Sequence, residues 1–192
     1  MASTLQTAAT AVGLFAGTNV DDLVVLSVLN ISHAAEGRPR RWQIWAGQYL
    51  GMAVLVSISL AASRGLTLIH AEWVGLLGLI PLSLGLYRLA LAVRARRSND
   101  QVPMVGATGL AGIVGITVAN GGDNVLAYTP VFAAQSTAAL VVTLVVFATA
   151  VALWCSAGAL LVSHRRVVDI IKEWGHWLVP LVYIVIGLWL LI

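Results

Sequence analysis

The sequence predicts an all-α membrane protein with six transmembrane helices arranged as a 3+3 inverted repeat. Of its 192 residues, 59% are hydrophobic and only 10% are charged, and the mean hydropathy is +0.92. Apolar runs of about 20 residues, the length that crosses ~30 Å of hydrocarbon, recur along the chain. Polar motifs at Asp21-Asp22 and Asp123-Asn124 lie 102 positions apart and predict the repeat. An odd number of spans in each half would make the second half insert upside down.

Three spans are predicted in the first half, 1–93. Span one, roughly 8–31, is apolar outside its polar motif. Span two, roughly 42–62, opens on two tryptophans, which favour the membrane interface. It contains Gly47-Gln48-Tyr49-Leu50-Gly51, whose small residues would let another helix approach closely. Span three, roughly 73–93, is interrupted by Pro81.

The second half, 105–192, follows an arginine-rich cytoplasmic linker at 94–104. Span four, roughly 105–128, is rich in glycine, and we expect Pro130 to bend or end it. An uncharged connection leads to span five, roughly 138–162, and a charged stretch leads to span six, roughly 174–192. The whole chain, 1–192, is therefore predicted to form a single transmembrane domain.

Charged residues predict the orientation. Ten of the eleven Lys and Arg residues lie in or beside the loops that follow spans one, three and five, and only Arg64 lies on the other side. Because positive residues stay in the cytoplasm, we expect the arginine-rich loops there and both termini outside. The pI near 9.5 therefore reflects orientation within a lipid bilayer, and no nucleic-acid partner is expected. A single cysteine, Cys155, excludes a disulfide framework or thiolate metal cluster within one chain.

Two polar motifs occupy positions where carboxylates are expensive. They are Thr18-Asn19-Val20-Asp21-Asp22 and Ala119-Asn120-Gly121-Gly122-Asp123-Asn124. An Asp at the middle of a membrane helix costs ~2.5–3.5 kcal/mol, so three of them need a reason beyond helix packing. Helical spacing of three and four would place Thr18, Asp21 and Asp22 on one face, and Asn120, Asp123 and Asn124 on another. Gly121-Gly122 would ease a broken turn that adds backbone carbonyl ligands.

The chemistry of these residues favours a divalent cation. Several carboxylates with amide and hydroxyl oxygens suit such an ion, whereas a buried Asp without a cation would carry a proton. Together the two possibilities predict cation/proton exchange with no tightly bound cofactor. Gln48, Tyr128 and Thr129 could complete the pocket. The candidate metal ligands are Thr18, Asn19, Asp21, Asp22, Gln48, Asn120, Asp123, Asn124, Tyr128 and Thr129.

The chain resembles the cadmium-resistance transporter family within the lysine-exporter superfamily. The residues that carry the resemblance are the two polar motifs, Gly47-Gln48-Tyr49-Leu50-Gly51 and Gly78-Leu79-Ile80-Pro81-Leu82. The resemblance extends over nearly the whole chain, and the Asn-Gly-Gly-Asp-Asn run is its most specific part. It implies a six-helix efflux protein that lowers cytoplasmic Cd²⁺ or a related divalent cation. Cd²⁺ favours sulfur ligands, whereas the motifs offer oxygen. The resemblance therefore does not fix the transported ion, and Zn²⁺ and Mn²⁺ are alternatives.

The leading hypothesis is a secondary exporter of divalent metal across the bacterial plasma membrane. No nucleotide-binding loop of the Gly-x4-Gly-Lys-Ser/Thr kind is present, so ATP is not expected to drive it. An exporter of small cationic solutes, of the amino-acid exporter type, is the alternative, with the carboxylates holding an amine. An intramembrane aspartyl enzyme using Asp22 and Asp123 is disfavoured, because adjacent amides favour ion binding and no substrate-gating element is recognisable. Whether the protein forms a homo-oligomer is left open.

Overall fold

A computed structural model describes residues 4–66 and 109–161, together with ten isolated positions. Its helices are α1 (Thr4–Thr18), α2 (Val20–Glu36), α3 (Arg41–Leu66), α4 (Gly109–Asn120), α5 (Gly122–Ala134) and α6 (Thr137–Leu161). The described residues contain no strand, so the all-α prediction is confirmed for them. The isolated positions are Leu79, Leu82, Ser83, Leu86, Leu89, Ala90, Leu181, Ile184, Val185 and Leu188.

Most of predicted spans three and six, the whole linker at 94–104 and the charged stretch that begins at His164 lie outside the described residues. The 3+3 repeat and the boundaries of the halves therefore stay predictions. The described part has two helices, α3 and α6, that are each long and apolar enough to cross a membrane. Two bent pairs, α1 with α2 and α4 with α5, raise the number of spans to four if each pair is one span.

Predicted span one is two helices rather than one. The chain turns by 59° between α1 and α2, and Asn19 lies at the break with φ −118° and ψ 18°. The Asn19 side-chain amide donates to the Phe15 carbonyl at 2.8 Å, a local bond that competes with regular helix geometry. Thr18 therefore ends one helix while Asp21 and Asp22 begin the next. The expectation that a continuous helix places these three on one face was wrong.

Span four is also broken, as the Gly-Gly pair predicted. The turn of 63° lies at Gly121, between α4 and α5. Pro130 does not end the helix, because α5 continues through it to Ala134, and the 63° bend lies nine positions earlier. The breaks at Asn19 and Gly121 are themselves 102 positions apart, the offset that the sequence motifs share.

Each long helix packs against the broken pair of the other half. Helix α3 contacts α4 and α5, whereas α6 contacts α1 and α2. A Cβ built on Gly47 or Gly51 would lie 2.5 Å from Ile113 or 2.6 Å from Thr117, so only glycines allow this approach. The close helix contact predicted from the Gly47–Gly51 spacing is therefore confirmed. This interlocking brings both breaks into the interior.

Aromatic rings fill the core beside the first break. The ring of Phe147 in α6 lies 5.4 Å from Phe15 and 4.8 Å from Tyr128, centroid to centroid. Cys155 is buried in the same apolar cluster, as expected for a small hydrophobic residue. The core therefore joins α1, α5 and α6 and places Tyr128 next to the first polar motif.

Candidate functional site

Both breaks place an aspartate in the first turn of the following helix. The Oδ1 atom of Asp21 accepts a hydrogen bond from the Asp22 backbone N–H, with 3.1 Å between donor and acceptor. Asp123 Oδ1 accepts from the Asn124 N–H at the same distance. Acidic groups are favoured at a helix N-terminus, where backbone N–H groups have no intrahelical partners. The two motifs therefore share one local geometry.

A direct hydrogen bond joins the two motifs. The Asn124 side-chain Nδ2 donates to Asn19 Oδ1 at 3.0 Å, across 105 positions of sequence. Both side chains are buried, Asn19 fully and Asn124 with 2% of its surface exposed. The two motifs therefore meet in the interior through this pair.

Tyr128 extends the cluster from α5 to the end of α1. Its hydroxyl oxygen lies 2.9 Å from Thr18 Oγ1 and accepts a hydrogen bond from Asn19 Nδ2 at 2.9 Å. The Asn19 amide also donates to Thr18 Oγ1, at 2.7 Å. Three predicted site residues therefore form one network, and all three are buried.

Asp22 lies in a second branch of the same region. Its Oδ2 atom accepts a hydrogen bond from Gln48 Nε2 of α3 at 2.8 Å, and the Asn120 side chain also bonds to it. Gln48 Oε1 in turn accepts from Thr117 Oγ1 of α4 at 3.0 Å. Asp21 and Asp123 are close enough to act on Asp22 electrostatically, so three acidic side chains share this region.

Asn124 carries a buried acceptor with no donor. Its Oδ1 atom has no hydrogen-bond partner among the described residues. Buried polar atoms are almost always paired, and leaving one unpaired costs about 1–3 kcal/mol. An unpaired amide oxygen of this kind, in the same motif as Asp123, is suited to receive a cation.

Not every predicted ligand joins the cluster through its side chain. Thr129 Oγ1 donates to the Val125 carbonyl of its own helix at 2.6 Å, so its hydroxyl proton is used by the backbone of α5. Asn120 reaches Asp22 from an exposed position at the end of α4. Among the described residues, no three His, Cys, Asp or Glu side chains form a group that could hold a metal. A cation here would depend on amide and hydroxyl oxygens as well as carboxylates.

Sequence reasoning missed two residues. Thr117 precedes Asn120 by three positions, so the helical spacing could have found it on the same face. Trp154 of α6 donates its indole Nε1–H to the Asn19 backbone carbonyl at 2.7 Å. No local pattern connects Trp154 to a residue 135 positions away.

The model of a family described as cadmium resistance transporter matches residues 15–192. This range contains both motifs, both breaks and Gln48. No curated protein and no solved structure matches the chain significantly.

Proposed function

The chain belongs to the cadmium resistance transporter family, and from that premise we propose that it is a secondary exporter of divalent heavy-metal cations. The substrate would be Cd²⁺ or a related ion, carried out of the cytoplasm across the bacterial plasma membrane. Protons would move in exchange. Family membership supports cadmium-resistance transport in general, and the geometry of the site supports the finer parts of the proposal.

The observation that carries the proposal is the unpaired Asn124 Oδ1 beside the buried acidic side chains. Asp22 and Asp123 are only 4% and 6% exposed, and carboxylates in an apolar interior need a positive partner. Among the described residues, Asn124 Oδ1 has no donor. A divalent cation would neutralise the acids and coordinate this oxygen together.

The ligand chemistry widens the choice of ion. The side chains at the breaks offer oxygen, which suits Zn²⁺ or Mn²⁺ better than the softer Cd²⁺. The single thiol, Cys155, is buried in the apolar core cluster. We therefore propose that the protein transports more than one kind of divalent cation.

Exchange with protons follows from the same carboxylates. When the cation leaves, a buried Asp is cheaper with a proton than with a bare charge. The ten-to-one asymmetry of basic residues supports loading from the arginine-rich side, which would be cytoplasmic. Metal efflux would then be driven by inward movement of protons.

Transport in proteoliposomes tests the proposal. Wild-type protein, Asp123→Asn and Asn124→Asp are compared at equal abundance with Cd²⁺, Zn²⁺, Mn²⁺ and, separately, lysine, under imposed pH gradients. Asp123→Asn keeps the shape but removes a charge, so metal transport should fall by more than about tenfold, a loss above about 1.4 kcal/mol. Asn124→Asp should change ion preference or pH dependence rather than abolish transport.

Two results would contradict the whole proposal, and a third would contradict only its proton coupling. A fully active Asp123→Asn protein would show that transport does not need the negative charge at this position. Lysine transport without metal transport would favour an exporter of cationic solutes. Metal transport that ignores the pH gradient would remove the proton coupling alone.

A further inference from the structure

Gln48 is oriented as a hydrogen-bond donor to Asp22. Its Nε2 donates to Asp22 Oδ2 at 2.8 Å, and its Oε1 accepts from Thr117 Oγ1 at 3.0 Å. Both ends of the amide are therefore occupied, and the side chain is only 2% exposed. The expectation that Gln48 supplies an oxygen to the ion stays a prediction, and the hydrogen bond to Asp22 gives its amide a second role.

The orientation of this amide matters to the carboxylate. A reversed amide would bring Gln48 Oε1 against Asp22 Oδ2, two acceptors at hydrogen-bond distance. Asp22 opposes that reversal because its carboxylate oxygen can accept from Nε2 but has nothing to donate to Oε1, and Thr117 anchors the opposite end of the amide by donating to Oε1. The hydroxyl also lies 3.1 Å from the Ile113 carbonyl, a second acceptor for the same proton.

The packing of α3 on α4 holds Thr117 at this distance. Thr117 is 2% exposed and lies against Gly51. A Cβ at position 51 would lie 2.6 Å from the Thr117 Cβ and 3.3 Å from its Oγ1. Gly51 and Gln48 are three positions apart on one helix, so the contact that seats Thr117 also sets its reach to the amide.

We propose that Thr117 is a positioning residue of the cation site, which holds the Asp22 carboxylate in place through the hydrogen bond from Gln48 to Oδ2. The inference rests on the proposed function and deepens it, because it assigns Gln48 and Thr117 to orientation and leaves coordination to the two motifs. Loss of the hydroxyl should therefore weaken ion binding more than it weakens the fold.

Thr143 offers a matched control. Its Oγ1 donates to Gln135 Oε1 at 3.1 Å and lies 3.0 Å from the Ala139 carbonyl, so it repeats the Thr–Gln arrangement at the start of α6. Thr143 is fully buried, like Thr117. Thr143→Val thus removes a comparable hydrogen bond that has no link to Asp22.

The test measures ion binding by purified protein in detergent, from the rise in melting temperature with added Cd²⁺, Zn²⁺ or Mn²⁺. Thr117→Val should raise the apparent Kd of the ion that stabilises the wild type by about five- to tenfold, the worth of one net hydrogen bond. Thr117→Ser, which restores the hydroxyl, should return the Kd to within about twofold. Thr143→Val should lower the melting temperature without changing the Kd. Equal Kd values for Thr117→Val and Thr143→Val would overturn the inference.

A second measurement separates failure of the inference from failure of the proposed function. Melting temperatures without metal are compared for Thr117→Val, Asp22→Asn and the double variant, with Thr143→Val and Asp22→Asn as the control pair. The changes in melting temperature should be coupled in the first pair and additive in the control pair. Of the two threonines, only Thr117 is linked to Asp22 through a hydrogen-bonded glutamine. If no ion stabilises the wild type, the proposed function fails while this coupling still supports the positioning role. Additivity in both pairs would refute that role.

Discussion

The two breaks in the chain bend it by similar angles, 59° at Asn19 and 63° at Gly121, but different interactions stabilise them. Polar contacts hold the first break: the Asn19 side chain bonds to Tyr128 and Asn124, and its carbonyl accepts the Trp154 indole N–H. Apolar packing holds the second, where Gly121 lies directly beneath Leu55 of α3.

The difference assigns distinct tasks to the two breaks. Hydrogen bonds are directional, so a network of them specifies one geometry at Asn19. A glycine packed on a leucine specifies only a distance. The residues three positions after each break also differ. Asp22 is hydrogen-bonded to Gln48, whereas the Oδ1 atom of Asn124 has no partner among the described residues. The comparison predicts that the first break is sensitive to lost hydrogen bonds and the second to added volume.

The largest effect is expected from adding volume at the second break. Gly121→Leu should lower the free energy of unfolding by about 3 kcal/mol, because the new side chain would overlap Leu55, which is 2% exposed. Gly122→Leu is the control, since nothing lies within 4 Å of a Cβ at that position. Reversible unfolding in detergent measures both. Adding Leu55→Ala to Gly121→Leu should recover part of the loss, and no recovery would argue against this contact as the cause.

A smaller loss, about 2 kcal/mol, is expected when the first break loses its amide. Asn19→Ala would leave the Asn124 side-chain amide without its acceptor and would remove a donor from Tyr128. Asn30→Ala is the control, because the buried Asn30 amide donates to the Leu26 carbonyl of its own helix and has no bond to the other motif among the residues described. The same unfolding measurement compares the two. Equal losses would show that the link between the motifs contributes nothing beyond a local hydrogen bond.

The smallest effect is expected from the contact that α6 makes with the first break. Trp154→Phe keeps an aromatic ring near Phe15, now 5.3 Å away between centroids, but removes the donor to the Asn19 carbonyl. The cost should be about 1 kcal/mol, one net hydrogen bond. Trp45→Phe at an exposed position should cost less. If the two substitutions cost the same, the indole bond does not stabilise the break.

Some features could be predicted from local sequence because their causes are local. Composition and the length of apolar runs indicated helices in a membrane, and the ends of α3 and α6 lie close to the predicted spans. Gly121-Gly122 indicated a broken turn because glycine resists helix formation wherever it lies. The spacing of Gly47 and Gly51 indicated a close helix neighbour for the same kind of reason.

Other features were decided only by the tertiary structure, since they depend on residues far apart in the chain. The break at Asn19 required a buried amide with partners in α5, which no local period reveals. The direction of the Gln48 amide depends on Asp22, 26 positions away, and the indole bond of Trp154 spans 135. The sequence by itself determined which atoms could serve a cation, whereas tertiary packing decided which of them are already hydrogen-bonded and which oxygen is left open.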